Sequence, residues 1–118
     1  MATAPKTSAA TLATRNEVRG VIPRVIELTE SLVYGDIWER PGLSKRDRSL
    51  ITVAALVAMY RPEQLKGHTQ RALANGVTKE EMKEVFLQVG AYCGAPAALD
   101  GFRIAREVVA EQEKATAK

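Results

Sequence analysis

His68 is the one imidazole in the chain. Histidine suits reversible proton transfer, because its unperturbed pKa of ~6.5 leaves both forms populated near neutral pH. No Cys, Asp or Glu stands three or four residues from it, so it lacks a ligand set and no metal site is expected. The plain alternative is a partly exposed helix histidine with no chemical task. Arg46 and Arg48 flank Asp47 at the start of an apolar run. Cations in the first turn of a helix oppose its positive end unless they pair or bind an anion. Either guanidinium can take a carboxylate bidentately, or both can be solvated or held in structural ion pairs. Arg40, in the loop that carries Trp38, is a third anion-binding candidate. Tyr92 and Cys93 precede a Gly-Ala-Pro break. A thiol becomes a nucleophile where a base or cation lowers its pKa, and otherwise packs as a small hydrophobe. Glu80, Glu81, Lys83 and Glu84 are accounted for by a cap and a solvated helix face.

These side chains need helices to hold them. Apolar residues recur at three- and four-residue intervals from Val21 to Tyr34, with Pro23 tolerable in a first turn and Gly35 as the stop. Residues 35–43, GDIWERPGL, form a loop anchored by Trp38. Ser44 caps a helix running to about Tyr60, and Asp47 is placed to complete a capping box. Pro62 opens a third helix through Asn75, with Gly76 as its left-handed stop. Thr78 and Glu81 form a second capping-box signature for a helix reaching about Ala91, and a last helix runs from Pro96 to about Glu111. No segment alternates with period two. The expected class is all-α, a bundle of five to six helices, organised as a flexible segment 1–13, one domain over 14–112 and a polar tail 113–118.

Composition narrows the partners. The chain has 118 residues, the size of one domain, and lone helical layers of that size often complete their burial against copies of themselves. Seventeen basic and 14 acidic residues leave a net charge of +3 with no basic run, so nucleic acid is not expected. Ten arginines are ample for a small anionic substrate. A single cysteine excludes an internal disulfide and fits a reducing compartment, so the cytoplasm is expected. The N-terminal stretch lacks a signal-peptide core, and the longest apolar run, Leu50 to Tyr60, falls short of the ~18 residues that cross a bilayer. No membrane partner is expected.

The segments DIWERPGLSKRDRSLITVAALVA and EQLKGHTQRALANGVTKEEMKEVFLQVGAYCGAPAAL resemble the carboxymuconolactone decarboxylase family over about Tyr34 to Val108. The resemblance rests on the Arg-Pro-Gly-Leu-Ser loop, the Arg-Asp-Arg-Ser-Leu helix start, His68 with Asn-Gly-Val-Thr beyond it, and the Tyr-Cys-Gly-x-Pro turn. It implies an alkylhydroperoxidase-D-like helical fold, assembled as homotrimers or homohexamers with sites near subunit contacts. It further implies conversion of γ-carboxymuconolactone to β-ketoadipate enol-lactone in aromatic catabolism, without a cofactor. The peroxidase branch carries Cys-x-x-Cys-x-x-x-His, and Arg61 and Gln64 occupy the two cysteine places here, so dithiol chemistry is not expected. Ser49 stands where that branch keeps a Glu and becomes a possible lining residue. Leu99 replaces the Asn that commonly ends a Pro-Ala-Ala-Asn turn.

On this resemblance His68 is the expected proton donor and Arg46 or Arg48 the carboxylate anchor, with Arg40 in reserve. Tyr34 and Trp38 are expected to bind substrate, each having an apolar body and one donor. Tyr92 and Cys93 are possible lining residues. The alternatives are a thiol-dependent, alkylhydroperoxidase-type protein using Cys93, and a non-catalytic oligomeric binding protein.

Overall fold

The computed structural model describes residues 9–116, and all of its regular elements are helical. They run α1 (Ala9–Val21), α2 (Pro23–Leu28), a wide π-helical turn (Thr29–Tyr34), a 3₁₀ turn (Ile37–Glu39), α3 (Lys45–Ala58), α4 (Pro62–Ala74), α5 (Lys79–Cys93) and α6 (Ala95–Thr116). The all-α expectation is met with six α-helices among the described residues.

Three boundaries differ from the sequence reading. Helix begins at Ala9, so the segment expected to be flexible through residue 13 is helical from there; residues 1–8 lie outside the described residues. The helix expected over Val21–Tyr34 is divided. Ile22 is driven out of the α region, to φ −132° and ψ 71°, by the ring of Pro23 that follows it. Further on, the Thr29 hydroxyl donates to the Val25 carbonyl at 2.8 Å and the Ser31 hydroxyl to the Glu27 carbonyl at 2.7 Å. Such back-bonding hydroxyls compete for helix carbonyls and bend the chain, which here widens into the π turn. At the other end α6 continues to Thr116 and takes in most of the expected tail.

The caps explain most of the remaining boundaries. Ser44 accepts from the Asp47 amide at 3.0 Å, but the Asp47 carboxylate turns to Arg46, so the expected box is only half formed. At Thr78 the box is complete: the Thr78 hydroxyl accepts from the Glu81 amide and the Glu81 carboxylate from the Thr78 amide, both at 3.1 Å. Gly76 ends α4 at φ 99°. There the Val77 amide reaches back to the Ala72 carbonyl at 3.0 Å, the bond of a left-handed helix stop. α3 ends with the same bond, from the Arg61 amide to the Leu56 carbonyl at 2.9 Å, but its left-handed residue is Tyr60, at φ 53°.

α3 packs against α4, α5 and α6, and α6 covers α4 and α5. Their facing stripes form one core: Val53 and Val57 from α3, Leu65 and Ala72 from α4, Met82 and Phe86 from α5, with Ile104 and Ala105 from α6. Burying each of the larger side chains contributes roughly 1.5–3 kcal/mol. Gly101 lets α6 cross this core closely, for a Cβ there would stand 3.1 Å from a Val57 methyl. α1 packs on α2 and α2 on the π turn, and this segment leaves Val21, Ile22, Val25, Leu28 and Leu32 exposed.

Candidate functional site

Three stretches of chain converge on His68. α4 begins at Pro62 and carries the imidazole in its second turn, with Arg71 three residues on along the same face. The π turn ends at Tyr34, and the 3₁₀ turn after it carries Trp38, which is buried. Tyr34 and Trp38 stack with ring centroids 6.1 Å apart, and Trp38 stacks on His68 at 6.0 Å with 17° between the planes. The Tyr34 hydroxyl lies 3.3 Å from His68 Nε2. Arg71 covers both aromatic rings, its guanidinium carbon 4.7 Å from the Tyr34 centroid and 5.8 Å from that of Trp38. From α1, Arg15 reaches within 5.5 Å of the Tyr34 ring. Cations over aromatic faces are attracted by the ring quadrupole, which holds the two guanidiniums in place.

The electrostatics follow from that enclosure. His68 is half-buried, and its pKa is pushed down to about 4, first by burial and then by the positive charges of Arg71 and Arg15. The ring is therefore neutral at pH 7. Its Nδ1 is buried and has no hydrogen-bond partner among the described residues. No carboxylate lies within ion-pair distance of Arg15 or Arg71 among the described residues, although salt bridges engage Arg19, Arg24, Arg46 and Arg103 elsewhere. The arrangement is an aromatic wall, a neutral imidazole with a hydroxyl beside it, and two guanidiniums without a direct ion pair, Arg15 interacting with the Glu30 carboxylate only at longer range. It is suited to an anion that must later accept a proton.

The expected anchors are otherwise engaged. Arg46 pairs with Asp47 and with Glu81, tying the start of α3 to the start of α5. Arg48 donates from Nη2 to the Arg40 carbonyl at 3.0 Å, bracing the loop that follows Trp38, and its Nε is buried without a partner. Arg40 is exposed and contributes that carbonyl. Ser49 is buried and accepts from Asn75 Nδ2 at 3.0 Å, fastening α3 to the end of α4. Tyr92, 84% exposed, and Cys93, also exposed, close α5 on the surface. Cys93 is thus no small core residue, and the packing expected for it is corrected. Of the expected site residues the structure brings together the proton donor His68 with Tyr34 and Trp38, and leaves Arg40, Arg46 and Arg48 outside the stack. Sequence reasoning missed Arg71 and Arg15; the three-residue spacing from His68 was the available signal for Arg71. Among the described residues no group of three His, Cys, Asp or Glu side chains is placed to hold a metal. No helix there is long and apolar enough to cross a membrane.

A family model described as the carboxymuconolactone decarboxylase family matches residues 23–107. The chain belongs to that family. The matched carboxymuconolactone decarboxylase segment contains Tyr34, Trp38, His68 and Arg71 and leaves Arg15 outside. The chain is 43% identical over 75 residues to the 4-carboxymuconolactone decarboxylase of Acinetobacter baylyi, an overlap of 64% of this chain and 56% of that protein. It is 32% identical over 83 residues to the nitrosuccinic acid decarboxylase of Metarhizium robertsii, covering 70% and 58% respectively. An uncharacterised protein of Paracoccus denitrificans is 34% identical over 84 residues, covering 69% and 62%. The chain therefore spans somewhat more than half the length of these relatives.

Proposed function

We propose that this chain is a carboxy-lyase for a small acid that keeps a second carboxylate, with γ-carboxymuconolactone as substrate and β-ketoadipate enol-lactone as product, in aromatic catabolism and without a cofactor. The observation that carries the reading is the convergence of Arg71 and Arg15, neither paired with a carboxylate, on the stacked Tyr34, Trp38 and His68. The names of two relatives, a 4-carboxymuconolactone decarboxylase and a nitrosuccinic acid decarboxylase, support the class.

Arg71 holds the retained carboxylate and Arg15 adds positive potential. The departing carboxylate leaves as CO₂ from the ring carbon that bears the lactone oxygen. The electron pair of the broken C–C bond moves through the double bond onto the lactone carbonyl as a dienolate, and the guanidiniums stabilise the growing charge. One proton then goes to the carbon next to that carbonyl, and the proton consumed per CO₂ is restored from solvent. His68 supplies it, with the Tyr34 hydroxyl at 3.3 Å from Nε2 orienting the ring. A bound dianion offsets the Arg71 and Arg15 charges that, after burial, lower the imidazole pKa, so substrate binding raises the proton affinity of His68. The exposed apolar side chains of α1 and α2 support a homo-oligomer assembled through that side.

The assay is CO₂ release from γ-carboxymuconolactone, with light scattering to follow assembly. His68→Ala is expected to lower kcat by roughly 10²–10⁴-fold with the assembly intact, and Arg71→Ala to act mainly on KM. Near-normal turnover by the His68 variant would remove the assigned role.

A further inference from the structure

A second concavity lies away from the aromatic stack, between α4, α5 and α6. Its volume is about 160 Å³, and its walls are apolar, from Leu73, Met82, Phe86, Phe102 and Val109. Met82 and Phe86 are core residues, whereas Phe102 is 45% exposed and stands where the cavity meets solvent. An apolar hollow of roughly 150 Å³ is enough to hold one benzene ring.

The polar part of the lining has one sign. Lys79, Lys83 and Arg106 are all exposed at the cavity, and no acidic residue lines it. Lys79 pairs with Glu113 and Lys83 with Glu80, but exposed pairs of this kind hold their partners weakly. Arg106 has no ion pair among the described residues; its guanidinium sits 5.8 Å over the Phe102 ring, at the solvent side of the hollow. In the wall stands Thr69, 1% exposed, whose hydroxyl has no hydrogen-bond partner among the described residues.

We propose that this cavity is a binding site for a single-ring aromatic monocarboxylate, the ring lying among Met82, Phe86 and Phe102 and the carboxylate meeting Arg106 with Lys83 beside it. Size fits one ring, the apolar wall fits its faces, and the cationic opening selects an acid over a neutral ring. The site is separate from the His68 group, although Thr69 follows His68 on α4 and faces the other way, into the α5 and α6 side.

The test uses the whole chain, ¹³C-labelled at its methionine methyls, with benzoate and benzyl alcohol as probes. Benzoate is expected to shift the Met82 methyl saturably and leave Met59 unmoved, and benzyl alcohol to bind at least tenfold more weakly. Arg106→Gln, a surface change that leaves the fold intact, should weaken benzoate about tenfold and leave benzyl alcohol unaffected. Val109→Phe, which fills the hollow, should abolish both. An unmoved Met82, or equal binding of acid and alcohol, overturns the proposal, as does a Met82 signal that follows protein dilution instead of benzoate, because a second copy then fills the cavity. Benzoate caught by Arg71 is recognised separately: it moves the His68 resonance and is lost in Arg71→Ala while the Met82 response persists.

Discussion

Because His68 is the only histidine in the chain, a single imidazole Hε1 resonance reports the charge at the centre of the candidate site. Burial, then Arg71, then Arg15 hold its pKa down to about 4, against 6.5 for a free side chain. That gap corresponds to ~3.4 kcal/mol of preference for the neutral ring, at 1.36 kcal/mol for each tenfold change. Titrating the free protein by NMR should give a midpoint near 4. Arg71→Gln should move it upward yet short of 6.5, because burial is the larger cause and stays; Arg15→Gln should give a smaller rise. The same preference links to stability. The unfolded chain takes up the proton at 6.5 and the folded one near 4, so this contribution is complete above 6.5 and is lost as pH falls through 4. Urea unfolding between pH 7 and pH 4.5, compared with His68→Gln, isolates it: the variant should lack that part of the slope. A folded-state midpoint at or above 6.5, or one that ignores Arg71, would refute the electrostatic account of the site.

Two further predictions concern the frame. Tyr60→Gly should stabilise the protein by about 1 kcal/mol, since the left-handed conformation at φ 53° strains a side chain that is largely exposed; thermal unfolding checks the sign. Gly101→Ala should destabilise by about 1 kcal/mol despite a helix-propensity gain of up to ~1 kcal/mol. The new methyl would stand 3.1 and 3.2 Å from the Val57 methyls and 3.3 Å from Phe86, and a buried β-branched neighbour has no rotamer to retreat to. An increase in unfolding midpoint would show that the crossing is looser than described.

The helices of the core were legible because their signals are local. Ser44, Pro62, Gly76 and Thr78 each act within one turn, and the apolar stripes between them follow helical spacing. The division of the expected Val21–Tyr34 helix was not, because the periodicity continues through it while the break arises from Pro23 acting backwards on Ile22 and from the Thr29 and Ser31 hydroxyls capturing carbonyls. In the candidate site His68 stood out as the one imidazole, whereas Tyr34 and Trp38 were named from a resemblance, and the stacking of all three is tertiary. The charge conflict read at Arg46 and Arg48 was present, but its resolution was distant: Glu81 comes to Arg46 from another helix, and Arg48 turns to a loop carbonyl. Arg15 was out of reach of any local reading, since it approaches Tyr34 from α1 across the intervening α2.

His68 and Arg71 ride on one helix, whereas Tyr34 and Trp38 ride on the turns between α2 and α3. The backbone spacing of imidazole and guanidinium is thus set by helical pitch, while the rings of Tyr34 and Trp38 fix where the guanidinium ends up. Their registry with the ring stack depends instead on how α4 is seated, and the amide of Asn75 on the hydroxyl of Ser49 fastens it at one end. Loosening that bolt would shift the imidazole and its neighbouring cation along the indole together, retuning the basicity of the ring while every residue of the site stays the same.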